Sequence, residues 1–233
     1  MKDLRAALAE HRLVAILRAS DASRFADAAM VLHAAGVRLL EATLTTPGAP
    51  AAITALRLAL GEDALIGAGS VREPSDVDTA VDAGAAYLIT PTVNPAVLER
   101  AAELATPVVC GALTPTEIDQ AWRLGAAAVK VFPIAAAGGV AYLRAVRAPL
   151  PDVPLVPTGG VHLADVESYL RSGAIAVAAA TPLLGDALSP GGSLPDLATR
   201  AGEFVAAASR FTTVQPPLSQ GKMRLGAPNS HLS

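Results

Sequence analysis

Short apolar runs alternate with amphipathic segments along most of this chain. Glycines that could end helices recur at multiples of about 20 to 25 residues, the length of one strand-plus-helix unit. Apolar runs predict eight strands, at residues 13–17, 39–44, 64–66, 87–89, 107–110, 128–132, 154–156 and 175–180. Apolar positions at helical spacing predict helices between them, at residues 23–35, 51–60, 75–83, 95–105, 116–124, 140–148 and 163–172.

The order of these elements favours an α/β fold. Strands that are apolar on both faces and alternate with helices are typical of a parallel sheet closed into a (β/α)8 TIM barrel. An open, doubly wound sheet is the alternative. Residues 1–11 predict an extra N-terminal helix that would cap the bottom of the barrel. We expect one domain over residues 1–211 and a disordered tail over residues 212–233, where Pro216 and Pro217 interrupt a segment without periodicity.

Composition narrows the possible partners. The chain has 233 residues, of which 52% are hydrophobic and 17% charged, enough for one sizeable core. A net charge of −3 with no basic run argues against nucleic-acid binding. Cys110 is the only cysteine, which excludes an intrachain disulfide. With no signal-peptide pattern at the start and no apolar stretch of about 18 residues, we expect a cytoplasmic protein without membrane contact.

One lysine stands out among the 18 basic residues. Only three of these residues are lysines, and Lys130 lies alone inside the apolar run 126–133. An ammonium group in a buried strand loses hydration, which favours the neutral amine needed to attack a carbonyl near neutral pH. Arginine cannot serve in this way, because its guanidinium stays charged. The alternative is a buried lysine kept as the partner of a structural carboxylate.

A glutamate is the second polar residue in an otherwise apolar strand. Glu41 interrupts the run 37–44, and a carboxylate that projects into a barrel needs a compensating charge. A plain ion pair with Lys130 would satisfy this need. Alternatively, Lys130 forms a Schiff base with a keto acid while Glu41, its pKa raised by apolar surroundings, carries protons. Two such residues on nonadjacent strands favour the catalytic interpretation.

Polar residues and glycines at the predicted strand ends complete the candidate site, since catalytic residues of barrels lie at the carboxyl ends of strands. Gly159 and Gly160 could bind an anion through backbone amides or form a tight turn. The four histidines have no metal-ligand spacing, so we expect no metal and no cofactor. Besides Lys130 and Glu41, the candidates are Arg18, Thr43, Thr45, Ser70, Pro91, Phe132, Thr158, Gly159 and Gly160.

Five motifs resemble those of the 2-keto-3-deoxy-6-phosphogluconate (KDPG) and 4-hydroxy-2-oxoglutarate (KHG) aldolase family. They occupy residues 40–44, 66–71, 89–91, 129–133 and 157–161, and the resemblance covers about residues 5–210. It implies a metal-free class I pyruvate aldolase, commonly a homotrimer, that cleaves a 2-keto-4-hydroxy acid to pyruvate and an aldehyde. Lys130 would be the Schiff-base lysine and Glu41 the acid/base. Phe132, Ser70 and Pro91 would surround pyruvate, and residues 158–160 would contact the distal end of the substrate.

Two departures from the family pattern affect substrate recognition. Thr45 stands where many members have the arginine that binds the carboxylate of pyruvate, so Arg18 is the expected substitute. Ala178, Ala179 and Ala180 replace a Gly-Gly-Ser that often completes the phosphate site, and alanine side chains obstruct close backbone approach. An unphosphorylated or galactonate-type keto acid therefore fits as well. Three further classes stay open: a metal-dependent aldolase, a phosphate-binding barrel such as an isomerase or a relative of thiamin-phosphate synthase, and a noncatalytic barrel.

Overall fold

Eight parallel strands form a barrel in the computed structural model, which describes residues 3–210. The sheet order runs from β7 down to β1 and then to β8, and a bridge between Thr158 and Ala178 brings β8 beside β7. The predicted (β/α)8 barrel is confirmed, and the open sheet is wrong. The strands are β1 (Leu13–Leu17), β2 (Leu39–Thr43), β3 (Leu65–Gly69), β4 (Tyr87–Ile89), β5 (Val108–Ala112), β6 (Ala128–Val131), β7 (Leu155–Pro157) and β8 (Val177–Ala179).

Helices follow the strands and cover the outside of the barrel. Proline occupies one of the first two positions in several of them, where its missing amide is not needed. The helices are α1 (Leu4–His11), α2 (Phe25–Ala34), α3 (Ala49–Leu60), α4 (Pro74–Asp82), α5 (Pro95–Glu103), α6 (Pro115–Arg123), α7 (Gly139–Arg147), α8 (Leu163–Arg171), α9 (Thr181–Leu184) and α10 (Leu194–Ser209). No helix between residues 3 and 210 has the length and apolar character needed to cross a membrane.

Two apolar cores result from the alternation of side chains along each strand. The outer core lies between the strands and the helices. The inner core fills the barrel and includes Val14, Leu39, Tyr87, Ile89, Val109, Val156 and Ala178. Leu4, Ala7 and Leu8 of α1 join the inner core, so α1 closes the N-terminal end of the barrel as predicted. The predicted tail at residues 212–233 lies outside the described residues.

Strand register places the two unusual charged residues on opposite walls of the barrel. Glu41 of β2 pairs with Ile16 and Gly67, whereas Lys130 of β6 pairs with Gly111 and Val156. Strands β2 and β6 are four positions apart in a ring of eight. Both side chains therefore project into the barrel from facing strands.

Strand β5 is longer than its apolar pattern predicts. It continues to Ala112, so Cys110 does not end the strand. The Cys110 side chain is buried in the outer core, consistent with a small apolar packing residue.

Candidate active site

Lys130 and Glu41 are both buried at the centre of the barrel. The lysine is 5% exposed and the glutamate is fully buried. Neither carboxylate oxygen of Glu41 has a hydrogen-bond partner. Among the described residues, the ion pairs within 4.0 Å do not include one between Glu41 and Lys130. The two groups thus face each other without the direct contact of a structural salt bridge.

Burial controls the protonation of Glu41. Loss of hydration raises the pKa of this carboxyl group, while the positive charges of Lys130 and Arg18 act in the opposite direction. The raised pKa agrees with the expectation from the sequence. Gly69 makes room for the carboxylate, because a Cβ atom at this position would overlap the Glu41 side chain. A carboxyl group with a raised pKa and free oxygens can both accept and donate a proton.

The Lys130 amine lies beside an aromatic ring. Its Nζ atom is 5.1 Å from the centre of the Phe132 ring. The same ring packs on the backbone of Gly159, where an added Cβ would lie 2.9 Å from it. Lys130, Phe132 and Gly159 therefore lie together on the side of the barrel formed by β6 and β7.

Tyr87 lies in the inner core near Glu41, a position that the sequence pattern does not indicate. It is fully buried in the inner core, its hydroxyl donates to the carbonyl of Leu40 at 3.0 Å, and its ring occupies the space left by Gly67. Burial, followed by the nearby Glu41 carboxylate, raises the pKa of the tyrosine well above its ordinary value. The phenol thus remains neutral near Glu41, and it donates its proton to the main-chain carbonyl of Leu40.

Arg18 and the threonines after β2 form the opposite rim. Arg18 directly follows β1 and is exposed, and its charge reaches Glu41. Thr43 is buried, with its hydroxyl bound to the carbonyl of Leu17 and to Thr46. Thr45 is exposed at the edge of this rim. The sequence did not single out Thr46, which is 1% exposed.

The remaining candidates lie at the ends of β3, β4 and β7. Ser70 is half-buried next to Gly69 and has a φ of 61°, a left-handed conformation that is uncommon for serine. The carbonyl of Pro91 packs against Gly111. Thr158 is buried, and its hydroxyl donates to Val156 O at 3.1 Å. Gly160 is exposed at the rim, with a φ of 75°.

Ala178 and Ala179 of β8 and the adjacent Ala180 do not act as one unit. Ala178 and Ala180 pack with the inner core, whereas Ala179 is buried in the outer core, against the helices. Only the first and third side chains can therefore narrow the mouth of the barrel.

Metal ligands are not assembled in this part of the molecule. Between residues 3 and 210, no three His, Cys, Asp or Glu side chains come close enough together to hold a metal ion.

A cavity of about 480 Å³ lies at the N-terminal ends of β3 and β4, away from every candidate residue.

The fold and the site together define a (β/α)8-barrel enzyme, with an amine and a carboxyl group buried on facing strands inside the barrel. A sequence model described as KDPG and KHG aldolase matches residues 4–189. The chain belongs to the KDPG and KHG aldolase family. It is accordingly an aldolase, a carbon–carbon lyase.

Individual relatives agree with this family. The chain is 35% identical to 2-dehydro-3-deoxy-phosphogluconate aldolase of Treponema pallidum over 158 residues, which covers 68% of this chain and 73% of the relative. It is 33% identical to 2-dehydro-3-deoxy-6-phosphogalactonate aldolase of Escherichia coli over 196 residues, or 84% and 93% of the two chains.

A solved relative has been captured in a covalent state. KDPG aldolase of Legionella pneumophila, 26% identical, superposes with a TM-score of 0.74 over 90% of this chain and 98% of its own. The structure of that enzyme holds pyruvate as a covalent carbinolamine intermediate. Thiamine phosphate pyrophosphorylase of Pyrococcus furiosus, at 18% identity and a TM-score of 0.69, shares the fold alone.

Proposed function

We propose that this protein is a class I pyruvate aldolase in which Lys130 forms the Schiff base and Glu41 carries protons. The observation that carries the proposal is the pair itself. A buried amine and a carboxyl group with a raised pKa face each other from opposite strands without an ion pair. A structural salt bridge would instead bring the two charges into contact.

The reaction follows from the chemistry of these two groups. The Lys130 amine, once it has given up a proton, attacks C2 of the keto acid, forming a carbinolamine that loses water to give an iminium ion. Removal of the proton from the C4 hydroxyl then breaks the C3–C4 bond, the aldehyde leaves and the electron pair is taken up as an enamine. Protonation at C3 and addition of water release pyruvate and restore the amine. Glu41, by alternately holding and releasing a proton, supports these transfers.

The rim residues bind the two ends of the substrate in this proposal. Arg18 pairs with the carboxylate of the pyruvate half, in place of the arginine that Thr45 replaces. Phe132, Ser70 and Pro91 surround the three pyruvate carbons. Thr43 and Thr45 line the rim near Arg18, and Thr158, Gly159 and Gly160 face the distal end of the substrate.

Substrates of the proposed enzyme are 2-keto-4-hydroxy acids. The names of its relatives support 2-dehydro-3-deoxy-6-phosphogluconate or 4-hydroxy-2-oxoglutarate, with glyceraldehyde 3-phosphate or glyoxylate as the aldehyde product. A galactonate-type keto acid is the second candidate, since similarity to the phosphogalactonate enzyme spans 93% of that protein.

We also propose that the enzyme works without a metal or cofactor, as a homotrimer in the cytoplasm. Oligomer formation is supported by a structural match, with a TM-score of 0.77 and 31% identity, to a chain in a protein cage designed by fusing symmetric oligomeric domains. Light scattering on the purified protein measures the number of subunits directly.

A substrate panel tests the proposed activity. Pyruvate release is measured with 2-dehydro-3-deoxy-6-phosphogluconate, 2-dehydro-3-deoxy-6-phosphogalactonate and 4-hydroxy-2-oxoglutarate as substrates. Each assay is run with and without a chelator. We expect cleavage of at least one substrate at a rate that the chelator does not change. Cleavage that stops on chelation and returns with a divalent metal would instead indicate a metal-dependent aldolase.

A further inference from the structure

Two buried hydroxyl groups connect the ends of β1 and β2 in a short chain of hydrogen bonds. The amide of Ala19 lies 3.3 Å from Thr46 Oγ1, which lies 3.1 Å from Thr43 Oγ1. The Thr43 hydroxyl in turn lies 3.2 Å from the carbonyl oxygen of Leu17. Both threonines are at most 1% exposed, so protein atoms, not bulk water, satisfy these groups.

The donor and the acceptor of each hydrogen bond in this series follow from the groups involved. A carbonyl oxygen only accepts, so Thr43 must donate its single hydroxyl proton to Leu17. Thr43 can then only accept from Thr46, which therefore donates to it. The hydroxyl of Thr46 accepts from the amide of Ala19, which can only donate. Thr43 consequently has no hydroxyl proton left to donate to a substrate.

The two ends of this series of hydrogen bonds lie on either side of Arg18. Leu17 and Ala19 are the residues directly before and after it, so the hydroxyls hold the backbone on both sides of the arginine. Thr46 is itself fixed, because its amide donates to Thr43 O at 2.9 Å and its carbonyl accepts from Ala49 N at 3.1 Å. The long, exposed Arg18 side chain thus starts from a main-chain position that β2 determines.

We propose that Thr46, acting through Thr43, is a positioning residue that directs Arg18 toward the carboxylate of the substrate. This inference rests on the proposed function, because it assumes that Arg18 binds the pyruvate half. Removing the Thr46 hydroxyl leaves Thr43 with an unfilled acceptor and releases the amide of Ala19. The rim then loosens around Arg18, while the Lys130 amine and Glu41 keep their places in the barrel.

A double-mutant cycle tests the coupling of Thr46 to Arg18. The variants are Thr46→Val, Arg18→Ala and the double variant, with KM and kcat measured for the substrate that the panel identifies. Thr46→Val should raise KM by about 2- to 10-fold, the equivalent of one neutral hydrogen bond, with a much smaller change in kcat. In the Arg18→Ala background the same substitution should leave KM unchanged, because the residue that it positions is absent.

Conservative and distant variants separate positioning from stability. Thr46→Ser keeps the hydroxyl and should restore the KM of the unmodified enzyme. Thr54→Val removes a hydroxyl that bonds to Pro50 and Ala83 on the outside of the barrel, and should leave KM unchanged. If Thr46→Val does not fold, Thr46→Ala takes its place in the cycle.

Three results would overturn the inference: an equal rise in KM in both backgrounds, no rise in either, or no effect of Arg18→Ala itself. Borohydride trapping of pyruvate, run on each variant, separates this failure from failure of the proposed function. If trapping fails in the unmodified enzyme, the Schiff-base proposal is wrong. If trapping succeeds and the cycle shows no coupling, only the role of Thr46 is wrong.

Discussion

At the scale of single residues, the protonation of Glu41 depends on its surroundings. This glutamate is fully buried, and its two oxygens have no hydrogen-bond partners. Burial raises its pKa, and the charges of Lys130 and Arg18 counteract that rise. A carboxylate that only balanced Lys130 would be expected to contact it. The geometry instead fits a group whose protonation changes during a reaction.

Glu41→Gln tests the proton-carrying role, because it removes the titrating group and keeps the shape. We expect kcat for aldol cleavage to fall by about 10² to 10⁴, the usual contribution of a positioned acid/base, with little change in KM. Steady-state kinetics on the folded variant give both values. A rise in KM alone would make Glu41 a binding residue.

The same variant has a pH-dependent effect on stability. Since the pKa of Glu41 is raised on folding, the native state holds this proton more tightly than the unfolded state does. The native protein therefore loses stability from this group as pH rises above the ordinary glutamate value of 4.5 and through the raised value. Glutamine has no such loss, so Glu41→Gln should gain stability relative to the unmodified protein as pH rises. Urea unfolding at several pH values measures this, and a difference independent of pH would contradict it.

The sequence reveals charged residues of the site better than neutral ones. Lys130 and Glu41 are visible because each breaks an apolar strand, which burial penalises unless the residue has a purpose. Tyr87 and Thr46 give no such signal. An aromatic residue in a strand and a threonine in a loop are ordinary, and their roles depend on Gly67 of a neighbouring strand and on the end of β1. Those contacts arise only when the barrel closes.

At the scale of elements, strands were predictable where apolar runs have clean ends and less so where glycine occurs. The bounds of β1 and β4 agree with the pattern, whereas β3 and β5 extend further because Gly67, Gly69 and Gly111 interrupt the apolar run. Helices α9 and α10 were not predicted. Both follow the last strand, and α10 packs against α2 and α8, which closes the ring of outer helices.

Substitutions at Ala178 of β8 and at the adjacent Ala180 test whether alanine side chains narrow the distal end of the site. Ala178→Gly with Ala180→Gly should improve only phosphorylated substrates, by about 1 to 3 kcal/mol in the free energy of activation, the scale of one or two charge-assisted bonds from backbone amides. Values of kcat/KM for matched phosphorylated and unphosphorylated substrates measure this effect.

Ala179→Gly is the matched control, because its side chain packs against the outer helices. It should cost stability without changing substrate preference. A strong preference of the unmodified enzyme for the phosphorylated substrate, unchanged by the paired substitutions, would show that residues 158–160 suffice to bind phosphate.

A substitution in helix α1 tests whether the N-terminal end of the barrel contributes to stability and not to catalysis. Leu8 is fully buried where α1 closes the N-terminal end, away from the carboxyl ends of the strands. Leu8→Ala should destabilise the protein by about 2 to 5 kcal/mol through the cavity it leaves. Because catalytic residues lie at the other end, kcat of the folded fraction should not change. Urea unfolding and kinetics on one preparation decide the matter, and a large fall in kcat would show that the two ends are coupled.

At the scale of the whole molecule, the proposed activity requires that one lysine form a covalent bond with pyruvate. The protein is incubated with pyruvate and borohydride, and its intact mass is measured before peptide mapping. Lys130→Arg is the control, because a guanidinium keeps the positive charge and cannot form an imine. We expect one reduced pyruvyl group per chain, located on Lys130, and neither labelling nor turnover in the folded Lys130→Arg variant. Labelling at another residue, or substantial aldol cleavage by the folded Lys130→Arg variant, would contradict the proposal.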